Sequence, residues 1–357
     1  MTTLPSWLTE QRRSSDIAPL LLREEPESLE QLAAEARAIT LRRFGRVVSL
    51  YAPLYLSNFC SSGCAYCGFA SDRSSPRRRL EPEEIENELL AMRALGIGDV
   101  LLLTGERTGS AGYDYLRRAV ETASKLMPRV AVEAFPMSVA EYRGLADCGC
   151  TGVTIYQETY DIDTYRSLHR WGPKKDFFER LETPERALEG GIRSVGIGAL
   201  LGLAEPVGEA LALARHVRHL CRTWWKAGVS VSFPRIRPQE GGYQPPHPVD
   251  DRFLARMIFA FRIAMPDVEL VLSTRESPRF RDGMAGLGIT RMSIASRTTV
   301  GGYHDPETGG SSQFEVSDNR SAEAFCQALR SKGLEPVFKN WDPAYSGPVT
   351  DEQPACP

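Results

Sequence analysis

Three cysteines with the spacing C-x3-C-x2-C constrain this chain more than any other feature of its sequence. Cys60, Cys64 and Cys67 follow an apolar run at residues 47–56 that is typical of a buried strand. Three thiolates this close together can bind one metal centre, whereas four would complete the coordination of a [4Fe-4S] cluster. The spacing therefore predicts an iron-sulfur site in which one iron is left open for a cofactor or substrate.

Two other uses of these thiols are a zinc site that lacks its fourth ligand and three unrelated buried cysteines. No histidine or fourth cysteine within the loop would complete a tetrahedral zinc site. Gly63 would let the loop bend around inorganic sulfide, because it has no Cβ. Tyr66 places an aromatic ring between the second and third ligands. These features favour the cluster.

The composition narrows the class of protein. The chain has 357 residues, a formal net charge of -3 and a pI near 6.1, which give no reason to expect a nucleic-acid partner. No apolar run approaches the roughly 20 residues that span a bilayer, and residues 1–13 lack a signal-peptide core. Eight cysteines suit a reducing compartment. We therefore expect a cytoplasmic enzyme without a membrane partner.

Strand-like and helix-like segments alternate along most of the chain. The apolar runs are residues 47–56, 100–104, 130–134, 153–156, 195–200, 229–233, 268–272 and 292–295. The amphipathic segments are residues 82–95, 113–126, 139–146, 183–189, 207–226, 250–264, 278–284 and 321–332. Near-continuous apolar strands separated by helices predict an α/β fold with a parallel sheet, and eight repeats predict a (β/α)8 TIM-type barrel.

We assign residues 46–342 to this barrel, including a closing C-terminal helix. Residues 1–45 are predicted to form an N-terminal helical extension with a helix at 28–40. The C-terminal extension ends in residues 343–357, which contain proline, serine and glycine and are predicted to be disordered.

Polar and ionisable residues follow the predicted strands, where the active sites of such barrels lie. They are Tyr55, Thr104, Gly105, Glu106, Glu158, Arg235, Arg237, Arg275 and Arg297. Guanidinium groups at a barrel mouth suit a substrate carboxylate, and one of the four arginines is expected to bind it. Arg297 is the first choice, because it precedes a glycine-bearing turn, and Arg235 is the second. Tyr55 should face the same cavity.

The cysteine spacing, with an aromatic residue before the last cysteine, resembles the signature of radical S-adenosylmethionine (SAM) enzymes. The resemblance implies that Cys60, Cys64 and Cys67 hold a [4Fe-4S] cluster whose open iron binds SAM. The segment 104–106 resembles the Gly-Gly-Glu-type segment that holds the SAM amino group, with threonine in place of the first glycine. The implied cofactor contacts are Tyr66, Thr104, Gly105, Glu106, Glu158, Arg180 and Gly198.

Two of these contacts have a simpler explanation. Arg180 is expected to pair with the methionine carboxylate, but a surface ion pair of little energetic value would also suit its position. Gly198 would let adenine approach the fifth strand, but tight packing within the sheet explains this glycine nearly as well.

Longer segments resemble the tyrosine lyases of thiamine biosynthesis, the 2-iminoacetate synthases. These are residues 51–58, 156–160, 176–186, 231–238, 272–278, 301–303 and 335–342. The resemblance implies cleavage of the Cα-Cβ bond of L-tyrosine to p-cresol and 2-iminoacetate (dehydroglycine), which supplies the thiazole of thiamine. SAM would yield methionine and 5′-deoxyadenosine. The implied partners are a reductant protein of the flavodoxin or ferredoxin type and the thiazole synthase subunit.

Three other functions fit parts of the sequence. A tryptophan lyase of the same superfamily shares the barrel and the start of the reaction at the amine. The tyrosine lyase of hydrogenase-cofactor maturation would carry a further C-terminal cluster domain with C-x2-C, which the sequence after Cys326 does not supply. An iron-sulfur electron carrier or scaffold would need four cluster ligands and no SAM-binding strand ends.

Overall fold

Eight parallel strands close into a barrel in the computed structural model, which describes residues 3–10, 16–22, 26–306 and 310–338. They are β1 (Val47–Tyr55), β2 (Asp99–Leu103), β3 (Arg129–Glu133), β4 (Gly152–Thr154), β5 (Ser194–Gly198), β6 (Gly228–Ser232), β7 (Glu269–Leu272) and β8 (Arg291–Ser293). Each strand pairs with its successor, and β8 pairs with β1. The predicted α/β class and (β/α)8 TIM-type barrel are therefore confirmed.

Helices precede the barrel and follow its strands. They are α1 (Ser6–Thr9), α2 (Ala18–Leu22), α3 (Pro26–Phe44), α4 (Pro82–Ala94), α5 (Tyr113–Leu126), α6 (Val139–Asp147), α7 (Ile162–Leu168), α8 (Phe177–Leu181), α9 (Thr183–Glu189), α10 (Pro206–Thr223), α11 (Asp251–Ala264), α12 (Pro278–Met284) and α13 (Ala322–Ser331). All five residues of β2 are buried, because its two faces meet the barrel interior and the helices.

The observed elements agree closely with the predicted ones. Each predicted strand lies within two residues of an observed strand at both ends. The helix predicted to run to residue 226 ends at Thr223, because Trp224 has left the helical conformation. Two short helices, α7 and α8, were not predicted. They flank a 3-10 turn (Pro173–Lys175) that begins after Gly172, so no long periodic pattern marks them.

A ninth strand, β9 (Glu335–Val337), was also not predicted. It pairs in parallel with β1 at Val47–Ser49, whereas β2 pairs with β1 only from Ala52 onward. A Cβ placed on Gly98, just before β2, would lie 2.9 Å from the carbonyl oxygen of Phe338. The segment 335–338, which follows α13, therefore fills the gap between the N-terminal ends of β1 and β2.

The N-terminal extension contains the predicted helix, which is longer than expected. α3 packs against α11, with Leu32 and Ala36 fully or nearly fully buried. The short helix α1 packs on α10, where the Trp7 ring stacks on the His219 ring at 4.6 Å. The proposed domain limits stay predictions, and the tail at 343–357 lies outside the described residues. Among the described helices, none has the length and apolar character needed to cross a bilayer.

Ion pairs occupy the N-terminal end of the barrel interior. Asp99, the first residue of β2, accepts hydrogen bonds at Oδ2 from Arg291 (2.6 Å) and Arg129 (3.4 Å). The guanidinium of Arg291 also lies 4.7 Å from the centre of the Tyr51 ring. Arg129, Arg291 and Tyr51 line a remaining space of only ≈ 30 Å³. The roomier cavities of the interior therefore lie toward the C-terminal ends of the strands.

Removal of the Asp99 charge should destabilise the barrel. In Asp99→Asn, the buried guanidinium of Arg291 and the partly buried one of Arg129 lose the Asp99 carboxylate, and we expect a loss of about 3 kcal/mol or more in unfolding free energy. Chemical denaturation would measure this loss. The control is Asp267→Asn, because Asp267 pairs with Arg43 through a side chain that is 72% exposed, and its loss should cost less than about 1 kcal/mol. Equal stabilities of the two variants would contradict the prediction.

Candidate active site

The loop that carries the three cysteines follows β1 and is held by backbone hydrogen bonds to the segment after α7. The Gly63 amide donates to the Trp171 carbonyl at 3.1 Å, and the Ala65 amide donates to the Leu168 carbonyl at 3.0 Å. Cys64 also forms an isolated antiparallel bridge with His169. The loop is therefore fixed by contacts with a segment more than a hundred residues away, and not by its own sequence alone.

Two glycines let other parts of the protein reach this loop. A Cβ on Gly63 would lie 2.2 Å from Cε2 of Trp171. The glycine thus makes room for the indole ring, and its role in bending the loop around sulfide stays a prediction. A Cβ on Gly105 would lie 2.4 Å from the Phe59 carbonyl oxygen and 2.8 Å from Cβ of Cys60. Gly105 therefore brings the end of β2 directly against the first cysteine.

The thiols have the chemistry of ligands for a cationic centre. Burial, and then the neighbouring Cys67, raise the pKa of Cys60 to about 11, and burial also raises the pKa of Cys64. Both would bind as thiolates only with a nearby positive charge. Among the described residues, no three His, Cys, Asp or Glu side chains surround the position of a single metal ion. A cube that binds each cysteine at a different iron fits this arrangement better than zinc does.

Four charged side chains, which we call the acid-base network, lie beside the cysteine loop. Glu106, Glu158, Lys174 and Arg180 contribute two negative and two positive charges. Arg180 lies within 3.1 Å of Glu106 and 3.5 Å of Glu158, and Lys174 lies 2.6 Å from Glu158. Arg180 is only 7% exposed, so it is not the surface ion pair considered from the sequence. Its Nε also donates to the Tyr156 carbonyl at 2.6 Å.

The network leaves one acceptor free for a cofactor. The Oε2 atom of Glu106 is buried and has no hydrogen-bond partner within the described residues. A buried carboxylate oxygen without a donor is costly, and an ammonium group such as that of SAM would satisfy it. Burial opposes ionisation of Glu158, but Lys174 and Arg180 outweigh this effect and lower its pKa. The residues present therefore fit the positively charged cofactor that the sequence implies.

Glu158 has a strained backbone, with a φ of +72°. Few residues other than glycine adopt this conformation, and it persists where the surrounding structure enforces it. Here the Glu158 carbonyl accepts a 2.7 Å hydrogen bond from Leu200, just beyond β5. This backbone conformation turns the chain between β4 and α7, where the Glu158 carboxylate joins the acid-base network.

Tyr66 is oriented by a histidine that the sequence did not single out. The Tyr66 hydroxyl lies 2.8 Å from Nε2 of His169, and Nδ1 of that ring lies 2.7 Å from the Tyr165 carbonyl. A carbonyl only accepts, so Nδ1 carries the proton and Nε2 accepts from Tyr66. Burial, and then the charge of Lys174, lower the pKa of His169 to about 3. The neutral ring fixes Tyr66 between the second and third cysteines.

Two adjoining cavities open at the C-terminal ends of the strands. The first, ≈ 70 Å³, is lined by Tyr66, Cys67, Glu158 and Lys174 and lies beside the cysteine loop. The second, ≈ 60 Å³, reaches deeper into the barrel. Its walls include Tyr51, Tyr55, Leu103, Phe233, Ser273 and Ser296. Residues shared by both cavities are Glu133, Tyr156, Pro234, Arg275, Gln313 and Phe314. We call the first the cofactor-side cavity and the second the substrate-side cavity. The two cavities adjoin at the residues that they share.

The four candidate arginines differ sharply in their surroundings. Arg235 is held by Glu276 at 3.1 Å and by Asp251 at 2.7 Å, and it lines neither cavity. Arg237 lines the cavity beside the cysteine loop but lies 3.3 Å from Glu276, and Arg297 is exposed at the surface. Arg275 instead lines both cavities and stacks on Phe314 at 3.4 Å. The structure does not place Arg297 or Arg235 in either cavity, and Arg275 is the arginine that lines both.

Tyr55 and Gly198 complete the set of predicted residues. Tyr55 faces the substrate-side cavity as expected, and its hydroxyl donates to Oε1 of Gln313 at 2.7 Å. A Cβ on Gly198 would lie 2.7 Å from the Ser232 carbonyl oxygen and 2.9 Å from the Tyr156 ring. Packing therefore accounts for this glycine, and its contact with adenine stays a prediction.

Besides His169, sequence reasoning missed three residues that line the cavities, namely Glu133, Lys174 and Gln313. Glu133 is the last residue of β3, so the rule that selected the other strand ends could have found it. Lys174 lies in the 3-10 turn, and Gln313 lies far along the chain in a segment without regular structure. No local pattern marks either of these two residues. Thr104 and Gly105 lie between β2 and Glu106, as the sequence predicted.

Comparisons with known proteins agree with this geometry. Residues 54–217 match the family model of the Radical SAM superfamily, and residues 232–335 match that of the Biotin and Thiamin Synthesis associated domain. A closed barrel with a three-cysteine loop at its C-terminal end, together with these matches, defines a radical SAM enzyme. Such enzymes use a [4Fe-4S] cluster and SAM.

More specific relatives narrow the class. The chain is 43% identical to 2-iminoacetate synthase of Escherichia coli (strain K12), over 92% of this chain and 87% of that one. It is 42% identical to 2-iminoacetate synthase of Salmonella typhimurium, with the same coverage. The chain belongs to the 2-iminoacetate synthase family.

Solved structures share its fold. The FeFe-hydrogenase maturase HydG from Carboxydothermus hydrogenoformans superposes with a TM-score of 0.86 at 30% identity, over 94% of this chain and 79% of that one. Methylornithine synthase (PylB) superposes with a TM-score of 0.72 at 19% identity, over 93% of this chain and 97% of that one. The second match supports the fold alone.

Loss of any one of the three cysteines should prevent assembly of the cluster. We expect Cys60→Ala, Cys64→Ala and Cys67→Ala each to lack the iron, sulfide and visible absorption of the cube after anaerobic reconstitution, because two thiolates cannot hold it. The control is Cys221→Ala, whose half-buried thiol lies on α10. A cysteine variant that retained the iron and sulfide of the unmodified protein would remove that residue from the ligand set.

Proposed function

We propose that this protein cleaves the Cα-Cβ bond of L-tyrosine to p-cresol and 2-iminoacetate and thereby supplies the thiazole moiety of thiamine. SAM is converted to methionine and 5′-deoxyadenosine in the same reaction. The family assignment is one support for this proposal. The observation that carries it is the junction of two cavities, one beside the cysteine loop and the acid-base network, the other lined by Tyr55 and Arg275.

The chain's own residues have three tasks in this reaction. Cys60, Cys64 and Cys67 hold the cluster, which with SAM supplies the one-electron chemistry that removes a hydrogen atom from the substrate amine. Glu106 and the rest of the acid-base network hold the cofactor. The barrel interior holds the tyrosine and excludes water, which is catalysis by positioning in an enclosed site.

We assign the substrate carboxylate to Arg275. No carboxylate of the described residues lies within the 4.0 Å limit of an ion pair with its guanidinium. Its Nη1 atom donates only a long hydrogen bond, to the Arg235 carbonyl at 3.4 Å. A cation that faces a cavity without an anion of its own suits an anionic ligand. The aromatic and apolar walls, which include Tyr55, Leu103 and Phe233, suit the phenol ring.

The partners and the location are further parts of the proposal. We propose that a reductant protein of the flavodoxin or ferredoxin type supplies the electron, and that the thiazole synthase subunit receives 2-iminoacetate. A cytoplasmic location is supported by the cysteines, because all seven in the described part of the chain are free thiols.

Anaerobic turnover separates tyrosine from tryptophan as the substrate. Given SAM and a chemical reductant, the reconstituted protein should form p-cresol and 5′-deoxyadenosine from tyrosine, and it should leave tryptophan intact. Chromatography of the products would measure both. Cys67→Ala, which cannot hold the cluster, is the control. Fragmentation of tryptophan without release of p-cresol from tyrosine would preserve the radical SAM lyase and reject the thiamine assignment.

Glu158→Gln tests the cofactor side of the site. The amide keeps the size of the carboxylate but loses its charge, so SAM should bind more weakly by about 1 to 3 kcal/mol. Equilibrium binding to the reconstituted protein would measure this change. Glu179→Gln, at a half-exposed carboxylate on α8, is the matched control. Unaltered SAM affinity in a folded Glu158→Gln variant would remove Glu158 from the cofactor site.

A further inference from the structure

The carboxylate of Glu133 is unlike the other acidic side chains at the C-terminal ends of the strands. Glu106, Glu158 and Glu276 each lie within ion-pair distance of an arginine or lysine. Within the described residues, the Glu133 side chain has no hydrogen bond and no cation at ion-pair distance, although it lines both cavities. A carboxylate in such a place is available to a ligand, because no side chain in the described part of the chain is bonded to it.

The position of Glu133 follows from the strand register. It is the last residue of β3 and pairs with Leu103 on one side and Thr154 on the other. β3 and β7 are four strands apart in either direction around the eight-stranded barrel, so Glu133 and Arg275 approach the cavity from opposite walls. One unpaired anion and one unpaired cation therefore face each other across the space that we assign to the substrate.

A free amino acid matches this pair of charges. Its carboxylate complements Arg275, and its ammonium group complements Glu133, which also lies where the cofactor-side cavity meets the substrate-side cavity. The nitrogen of a substrate held in this way would lie at the junction, and its side chain would extend into the apolar part of the barrel. A ligand with only one of the two charges would leave the other protein charge unmatched.

The reaction needs a neutral amine. A hydrogen atom is removed more readily from a neutral amine than from an ammonium ion, because the ammonium nitrogen has no lone pair to stabilise the radical that forms, so the proton should leave first. We propose that Glu133 binds the ammonium group of the substrate and accepts one proton from it before the hydrogen atom is removed. In this step an N-H bond breaks, an O-H bond forms on the Glu133 carboxylate, and the electron pair stays on nitrogen. The inference rests on the proposed tyrosine lyase function.

The surroundings of Glu133 suit a proton acceptor. Burial, and then the charge of Glu158, raise the pKa of Glu133 to about 7. A carboxylate of this kind is a better match for an amine than an ordinary glutamate. The charged and titratable groups that face it are Glu158, Arg275, Arg180, Lys174, Tyr51, Tyr55 and Tyr156. The tyrosines stay neutral, because burial raises the pKa of each of them.

Binding of tyrosine analogues that lack one charged group tests whether Glu133 binds the ammonium group and Arg275 the carboxylate. The ligands are L-tyrosine, 3-(4-hydroxyphenyl)propanoate, which lacks the amino group, and tyramine, which lacks the carboxylate. The unmodified protein should bind tyrosine most tightly. Glu133→Gln should lose about tenfold or more in affinity for tyrosine and tyramine, the factor expected for one charge-assisted hydrogen bond, and nothing for the propanoate. Arg275→Gln should show the converse pattern, with losses for tyrosine and the propanoate.

The pH dependence of p-cresol release tests the proton transfer. Glu133 accepts a proton only when ionised, so the rate of the unmodified enzyme should be low below pH 7 and rise to a plateau above it. Glu133→Gln should lose about a hundredfold or more in rate and recover only at a pH that deprotonates tyrosine itself. Glu133→Asp, which keeps a carboxylate, should retain part of the rate and the rising limb. Iron content and SAM affinity should be unchanged in both variants.

Glu121→Gln is the matched control, because Glu121 is a half-exposed carboxylate on α5 that pairs with Lys125 and Arg117. Unchanged ligand preferences in folded Glu133→Gln would overturn the recognition, and an unchanged pH profile would overturn the proton transfer. Absence of p-cresol with the unmodified enzyme would reject the proposed function instead. The binding experiment distinguishes the two failures, because it requires no turnover.

Discussion

The buried guanidinium of Arg180 is the interaction on which the rest of the site depends. A charge that is only 7% exposed is expensive to remove from water and is tolerated only with partners of opposite charge. Arg180 meets this condition by pairing with Glu106 from the end of β2 and Glu158 from the end of β4. The positions of Glu106 and Glu158 are therefore linked, because both carboxylates pair with the same Arg180 guanidinium.

This dependence explains why the segment between β4 and α9 is so irregular. A single helix after β4 would form an ordinary βα unit, but here the chain makes a strained turn at Glu158, two short helices and a 3-10 turn. These elements bring Lys174 and Arg180 back over the strand ends, and His169 and Trp171 onto the cysteine loop. The segment between β4 and α9 is irregular because it supplies several side chains to the site within a short stretch of chain.

The barrel could be predicted well from the sequence because each strand and helix is encoded in a short stretch of residues. Each buried strand is a short apolar run, and helices such as α5 place apolar residues at intervals of three and four positions. The cysteine spacing likewise lies within a single loop. By contrast, β9 is defined only by its pairing with β1, and Gln313 reaches Tyr55 across 258 positions of the chain. Contacts of this kind leave no periodic signal in the sequence.

The four candidate arginines show in the same way that contacts distant in sequence cannot be predicted from a local pattern. All four follow strands, and sequence position gave Arg297 and Arg235 preference. The four arginines differ in whether a carboxylate of the protein already pairs with them. Residues that are adjacent in sequence do not determine this pairing. Glu276 directly follows Arg275, yet it pairs with Arg235 and Arg237 and leaves Arg275 to the cavity. A fold must neutralise the charges that it buries for its own stability, so Arg275 and Glu133, which line the cavities without a partner at ion-pair distance among the described residues, are the charges that we propose for a ligand.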